Sequence, residues 1–368
     1  MFNDAILKSE EKAVFALRSI YTRFGYSRFK MNKFEEYDLY AKMKDSLISD
    51  GVITFTDTNG KLLALKPDVT LSIIKNSTDK PGVVQKLYYD ESVYRISGSS
   101  KSFKEITQTG LEVLGDISSY DVSEVLVLAL KSLETIDENY ILDISHAALF
   151  AELLRVCDLS DAAYIKATEA IKRKSRDAVD SLLMSGEITD SAAGICTKLI
   201  SNYKDFDALK AAFCDIKDDK VQSALSEILE LGKTISVLGY GDKLNIDFSI
   251  VNAAGYYSGV VFKGYIKGIP AEVLSGGRYD KLMKKMGRSS GAVGFAVYLD
   301  SLNRLKANRS EYDYDFVLIL NDGCDPAEVI KQVETLSANG SSVAVFQSLP
   351  DGVCCRNVIK LTANGLEA

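Results

Sequence analysis

Apolar positions in the first two dozen residues recur at helical spacing. Leu17, Ile20, Tyr21 and Phe24 share one face, and Gly25 stops the run. The period then shortens. "VITFTDTNGKLLALKPD" predicts two strands around Asn59-Gly60, a pair suited to a tight hairpin. Pro67 leads into "TLSIIKN", a short helix. "VVQKLYYDESVYRIS" and "KEITQTGLEVLGD" predict two further strands across the polar loop "GSSKS". A helix from Asp121, a strand "YILDIS" and a helix starting near His146 follow. From about residue 158 to 236 glycine is scarce and charge is dense, and "AAYIKATEAIKRK" and "KVQSALSEILELGKTI" are helical, which predicts a helical insertion. Strands return at "NIDFSIV", "YSGVVFKGYI" and "PAEVLSGGRYD". "GAVGFAVYLDSLNRL" reads as a strand running into a helix.

After the polar stretch "KANRSEYDYD", the segments "DFVLILN", "PAEVIKQVETLSANG" and "SVAVFQ" spell strand, helix, strand, a βαβ unit. The short connections between the early strands predict a mainly antiparallel sheet with helices on one face, an α+β architecture. The expected division is a core over residues 1–308 and a small α/β unit over 313–368.

Composition narrows the function. No apolar run reaches the roughly 18 residues of a membrane span. Asp4, Glu10 and Glu11 sit where a signal peptide would carry basic and apolar residues, so a cytoplasmic protein is expected. The six cysteines form no CxxC pair, which favours free thiols in a reducing compartment. With His146 the only histidine, a His-based triad or a His-rich metal site is not expected, and no metal or cofactor is called for. A net charge of −7 argues against non-specific nucleic-acid binding, which rests on Lys and Arg neutralising phosphates.

Four polar groupings stand out. Asp68 precedes a helix and has the chemistry of an N-cap. Gln108, Gly110 and Glu112 alternate along one strand and share a face, and Arg95 lies near the end of the strand before it. Such a set suits a zwitterion, with carboxylate on Arg and ammonium on Glu, and equally suits a solvated sheet face. Tyr256-Tyr257 lie between Gly255 and Gly259, able to bring a ring and a hydroxyl to a planar polar ligand or simply to pack. In "SGGRYDKLM" paired glycines allow close backbone approach, and Arg278 and Asp280 follow, either toward a ligand or as a turn held by their mutual contact.

In order and spacing these segments resemble the histidyl-tRNA synthetase catalytic core. "LKPDVT" is similar to that family's Leu-Arg-Pro-Glu/Asp-x-Thr segment, and "VYRI…KEITQTGLEVLG" to its second class II motif. "AGYYSGVVF" resembles its histidine-recognition segment, "GGRYDKLM…AVGFAVYLDSL" the run into its third motif, and "LDISHAALF" its Asp-x-Gly-His stretch. The resemblance implies a class II aminoacyl-tRNA synthetase-like antiparallel sheet flanked by helices. It also implies a histidine pocket made by Asp68, Thr70, Arg95, Gln108, Glu112, Tyr256 and Tyr257.

The departures fall on the ATP side. The family's catalytic arginine falls on Asn252 here, and the aspartate before the tyrosines on Gly255. Two arginines of the second-motif loop fall on Ser102 and Lys104, and one of the third motif on Ser301; Arg95 is retained. Losing one donor of this kind typically costs about 10²–10³ in rate. The profile is therefore similar to the regulatory paralogues that serve ATP phosphoribosyltransferase, which implies no catalytic residues of its own. It implies a short-form catalytic subunit as partner and histidine as effector, with a homodimer inside a hetero-octamer and no tRNA. The alternative is a divergent histidyl-tRNA synthetase.

Overall fold

The computed structural model describes residues 7, 9–43, 51–80, 82–96, 102–251, 256–304, 312–321, 323–362 and 365–367. The chain divides into two compact units: Ala13–Leu302, and Asn303–Ala368 together with Met1–Lys12.

The larger unit is organised by an eight-stranded sheet in the order β1-β5-β6-β11-β10-β9-β7-β8. Its strands are β1 (Ser27–Arg28), β5 (Val84–Ile96), β6 (Phe103–Gly115), β7 (Tyr140–His146), β8 (Leu244–Ile246), β9 (Val260–Ile266), β10 (Leu274–Arg278) and β11 (Gly291–Tyr298). All neighbours are antiparallel except the outermost pairs β1–β5 and β7–β8. A separate three-stranded sheet holds β2 (Phe34–Glu36), β4 (Leu62–Leu65) and β3 (Thr54–Thr56) in that order. The β3–β4 turn is the expected hairpin. The Asp57 carboxylate accepts the N–H groups of Asn59 and Lys61, and Gly60 takes the positive φ of +79° that the turn requires.

Helix α1 (Ser9–Arg23) contributes the buried Leu17 and Tyr21, and the short α2 (Tyr37–Ala41) contributes Tyr40. Helix α3 (Thr70–Asn76) buries Leu71, Ser72, Ile73 and Ile74. Helix α4 (Ser119–Ile136) lies across β7, β9, β10 and β11. It buries Val125, Leu126, Ala129, Leu130 and Leu133, which follows from its apolar stripe. Its start is a capping box: Ser118 accepts the Asp121 N–H, and Asp121 accepts the Ser118 N–H at 2.9 Å. Ser118→Ala is expected to cost about 1 kcal/mol of stability, read as a lower urea midpoint at unchanged slope.

His146 caps α5 (Ala147–Arg155), its Nδ1 accepting the Leu149 N–H at 3.1 Å. Five helices follow: α6 (Asp161–Lys172), α7 (Arg176–Met184), α8 (Asp190–Ile200), α9 (Phe206–Phe213) and α10 (Asp219–Val237). Each begins on a side-chain cap, from Ser160, Ser175, Thr189, Asp205 and Asp218 in turn. That is why the polar residues of this stretch punctuate rather than interrupt it.

Two sequence expectations change here. "NIDFSIV" is a strand only to Ile246. Asp247 then accepts the Ser249 N–H and turns the chain into one 3-10 turn, Phe248–Ile250. The stretch after β11 is likewise a 3-10 segment, Leu299–Arg304, rather than an α-helix. A short α11 (Asp280–Lys285), not foreseen, follows β10.

The smaller unit contains β12 (Tyr314–Leu320), α12 (Pro326–Ser337) and β13 (Val343–Phe346), with β12 and β13 parallel. Two strands extend it beyond the expected βαβ: β14 (Cys355–Thr362), parallel to β12, and β15 (Gly365–Glu367), antiparallel to β14. Arg356, Asn357 and Lys360 are exposed on β14, which breaks the alternation that would have marked it as a strand.

Candidate functional site

The register of β6 against β11 shapes the site. Gln108, Gly110 and Glu112 face the same way and pair with Tyr298, Ala296 and Gly294. Opposite Glu112, only glycine fits: a Cβ on Gly294 would lie 1.8 Å from Glu112 Oε2. On the other side of β6, β5 runs as a 13-residue strand that brings Tyr89 and Arg95 alongside. Asp68, just before α3, and Thr70, its first residue, also line the cavity. The residues before β9 add Tyr256 and Tyr257, whose rings meet edge to face at 4.8 Å. The cavity has about 400 Å³ of atom-free space, including its open mouth. Small-ligand sites span roughly 300–1,000 Å³.

All seven residues singled out in the sequence line this one cavity: Asp68, Thr70, Arg95, Gln108, Glu112, Tyr256 and Tyr257. Sequence reasoning missed Tyr89, Ser275, Tyr279 and Tyr298, which also line it. Tyr279 is the most consequential omission, because its hydroxyl donates to Glu112 Oε2. The signal was period two along β10: Tyr279 follows Arg278 and so turns to the opposite side. Arg278 itself points away from the cavity. Its Nε bonds Asp280 at 2.9 Å, and its Nη1 lies 3.7 Å from Glu227 of α10. Glu227 also faces His146 Nε2 at 3.3 Å. His146 therefore belongs to a structural network behind the sheet.

Glu112 is 2% exposed and Asp68 5%. Burial pushes the Glu112 carboxyl up to about 8, against the lowering effect of hydrogen bonds from Tyr279 and Thr70, and the nearby Asp68 raises it further. Thr70 Oγ1 donates to Glu112 Oε1 at 2.8 Å. Burial also raises Asp68, opposed by the Arg95 guanidinium and by the backbone N–H groups of Leu71 and Thr70. Asp68 Oδ1 accepts the Leu71 N–H at 3.0 Å, so it does work at the start of α3 as well as lining the cavity. Burial keeps the Tyr256 and Tyr257 phenols neutral and able to donate. Gln108 Nε2 is buried and meets no acceptor among the described residues.

Arg95 is the one cation among the described residues lining the cavity, and its Nε bonds the Pro67 carbonyl at 2.9 Å. Ser102, Lys104 and Ser301 do not line it, while Asn252 and Gly255 lie outside the described residues. Among the described residues no group of His, Cys, Asp and Glu is placed to hold a metal ion, and no helix is long and apolar enough to cross a membrane. Chemically, the site is an acid-lined cup with aromatic walls, suited to a small ligand carrying an ammonium group.

Residues 3–302 match the histidyl-tRNA synthetase family model. The chain is 28% identical over 334 residues to the ATP phosphoribosyltransferase regulatory subunit of Clostridium kluyveri, covering 88% of this chain and 85% of that one. Its fold is similar to an ATP phosphoribosyltransferase regulatory subunit/histidyl-tRNA synthetase from Bacillus halodurans, with a TM-score of 0.74 at 22% identity over 96% and 94% of the two chains. It is also similar to a chain of the ATP phosphoribosyl transferase (HisG:HisZ) complex from Thermotoga maritima, with a TM-score of 0.62 at 22% identity over 79% and 97%.

Proposed function

The chain belongs to the histidyl-tRNA synthetase family, and we propose that within it the chain is a non-catalytic regulatory subunit of ATP phosphoribosyltransferase in the first step of histidine biosynthesis. The observation that carries this reading is the acid lining of the cavity: two buried carboxyl groups and, among the described lining residues, one guanidinium. Adenylate formation needs fixed positive charge against a triphosphate, and Ser or Asn cannot supply it. An ammonium-bearing amino acid needs the acids. The Clostridium kluyveri relative, a regulatory subunit similar over most of both chains, supports the assignment.

In this reading the partner is the short-form catalytic subunit, and histidine is the effector. Asp68, Thr70, Arg95, Gln108, Glu112, Tyr256 and Tyr257 are its binding residues. A homodimer sits within a cytoplasmic hetero-octamer. Residues 1–308 form the synthetase-like core with its insertion at about 158–236, and 313–368 form a separate small unit. Histidine regulates by binding the active and inhibited assemblies unequally.

The test mixes the purified chain with a short-form catalytic subunit. Phosphoribosyl transfer is expected only when both are present, and histidine is expected to inhibit it. Histidine-dependent ATP–pyrophosphate exchange by the chain alone is expected at background. Robust exchange would instead establish a divergent histidyl-tRNA synthetase.

A further inference from the structure

The two acids of the cavity are held by different kinds of partner. Asp68 is met by groups that favour its ionised form: the Leu71 and Thr70 backbone N–H groups and the Arg95 guanidinium. Glu112 is met by two neutral hydroxyls, Thr70 on Oε1 and Tyr279 on Oε2. An N–H can only donate. A hydroxyl both donates and accepts, and so serves a protonated carboxyl as well as a carboxylate. The remaining groups facing Glu112 add no positive charge. They are Tyr89 from β5, Tyr256 and Tyr257 from the segment before β9, and Asp68 beside α3. Tyr298 of β11 faces Arg95 and Asp68. Two buried acids thus share one guanidinium, which is engaged on the Asp68 side.

We propose that the free cavity carries one proton on Glu112 and takes the ammonium group of its ligand in exchange for that proton. The proposal rests on the histidine-sensor reading and adds to it the charge state in which the ligand enters. Only the Glu112 O–H bond breaks: its proton passes to solvent, the carboxylate left behind pairs with the incoming ammonium, and the carboxylate of a zwitterionic ligand is met by the Arg95 guanidinium. The exchange avoids stranding either an unpaired carboxylate in the empty cup or an excess cation in the filled one. The raised Glu112 titration sets the range in which the exchange is visible.

The experiment is calorimetry of the full chain with L-histidine in phosphate and in Tris, whose ionisation enthalpies differ, at pH 7 and pH 8. The imidazole titration of free histidine is subtracted. With Glu112 titrating at about 8, the wild-type chain is expected to release about 0.9 proton per histidine at pH 7 and about 0.5 at pH 8. Apparent affinity is expected to rise close to tenfold per pH unit between pH 6 and 7, and to flatten above pH 8. Tyr279→Phe keeps the ring but removes the hydroxyl that favours the carboxylate. Its release at pH 8 is expected to move from about half a proton toward a whole one. A purely packing role for Tyr279 would leave that count unchanged. Tight histidine binding with equal apparent enthalpy in both buffers at pH 7 would overturn the exchange and leave the sensor reading standing. An unchanged proton count in Tyr279→Phe would take the proton off Glu112 and overturn it equally. No histidine binding by the chain or by its complex would overturn the sensor reading itself, and the exchange with it.

Discussion

Glu112→Ala is expected to weaken histidine binding about 30- to 4,000-fold, measured by calorimetry at pH 8 on the chain and on its complex with the catalytic subunit. Truncating one partner of a buried, hydrogen-bonded charge pair costs about 2–5 kcal/mol, and each 1.4 kcal/mol is about tenfold in affinity. Glu112 is 2% exposed, so water cannot replace it cheaply. The truncation also leaves the Thr70 and Tyr279 hydroxyls without their acceptor. Glu112→Gln separates these losses, because it keeps an acceptor oxygen and removes the charge. It should bind more tightly than the alanine variant and more weakly than the wild type. Asp68→Ala should weaken binding as well. Its melting temperature must be read beside its affinity, because the same carboxylate accepts the Leu71 N–H at the start of α3. An affinity within threefold of wild type for Glu112→Ala would remove the cavity from the regulatory reading.

Much of this site was legible because sheet geometry is simple. Alternation alone placed Gln108, Gly110 and Glu112 on one face, and the pairing with β11 keeps them there. The segments "LKPDVT" and "AGYYSGVVF" were settled only through their resemblance to a family, since pattern gave Asp68 the chemistry of a cap and left the tyrosines open between a ligand and packing. What remained hidden was of two kinds. Tyr89, Tyr279 and Tyr298 read as ordinary strand aromatics, and only the strand order β5-β6-β11-β10 shows that they converge on the cavity. The second kind is competition from local hydrogen bonding. Asp247 halts a promising strand by accepting the Ser249 N–H, a contact that hydrophobic periodicity does not register. In "GGRYD" the charged flanks drew the eye. Yet Arg278 turns to the rear of the sheet toward Glu227, and the quieter Tyr279 reaches Glu112.

The glycines of β6, β10 and β11 carry the second large effect, because they set how closely the strands' side groups pass. At Gly294 a Cβ would sit 1.8 Å from Glu112 Oε2 and 2.4 Å from the Leu111 carbonyl oxygen. The carboxylate could swing away only by leaving its Thr70 and Tyr279 donors, and the Leu111 carbonyl belongs to the paired strand and cannot move alone. Gly294→Ala is therefore expected to cost about 3 kcal/mol or more of stability, at the upper end for overpacking a core. Whatever folds should not bind histidine. Gly110→Ala should behave alike, its Cβ falling 2.2 Å from the Phe295 carbonyl oxygen and 2.6 Å from the Tyr89 hydroxyl. The contrast is Gly194, inside helix α8, where a Cβ meets nothing within 4 Å. There alanine should stabilise the chain by about 0.5–1 kcal/mol through helix propensity and a less mobile unfolded state, with histidine affinity unchanged. Urea denaturation of the three variants, with calorimetry on those that fold, tests the pair of claims together. If Gly294→Ala proved as stable as Gly194→Ala, the close passage of β11 beneath Glu112, and with it the shape of the cavity floor, would be wrong.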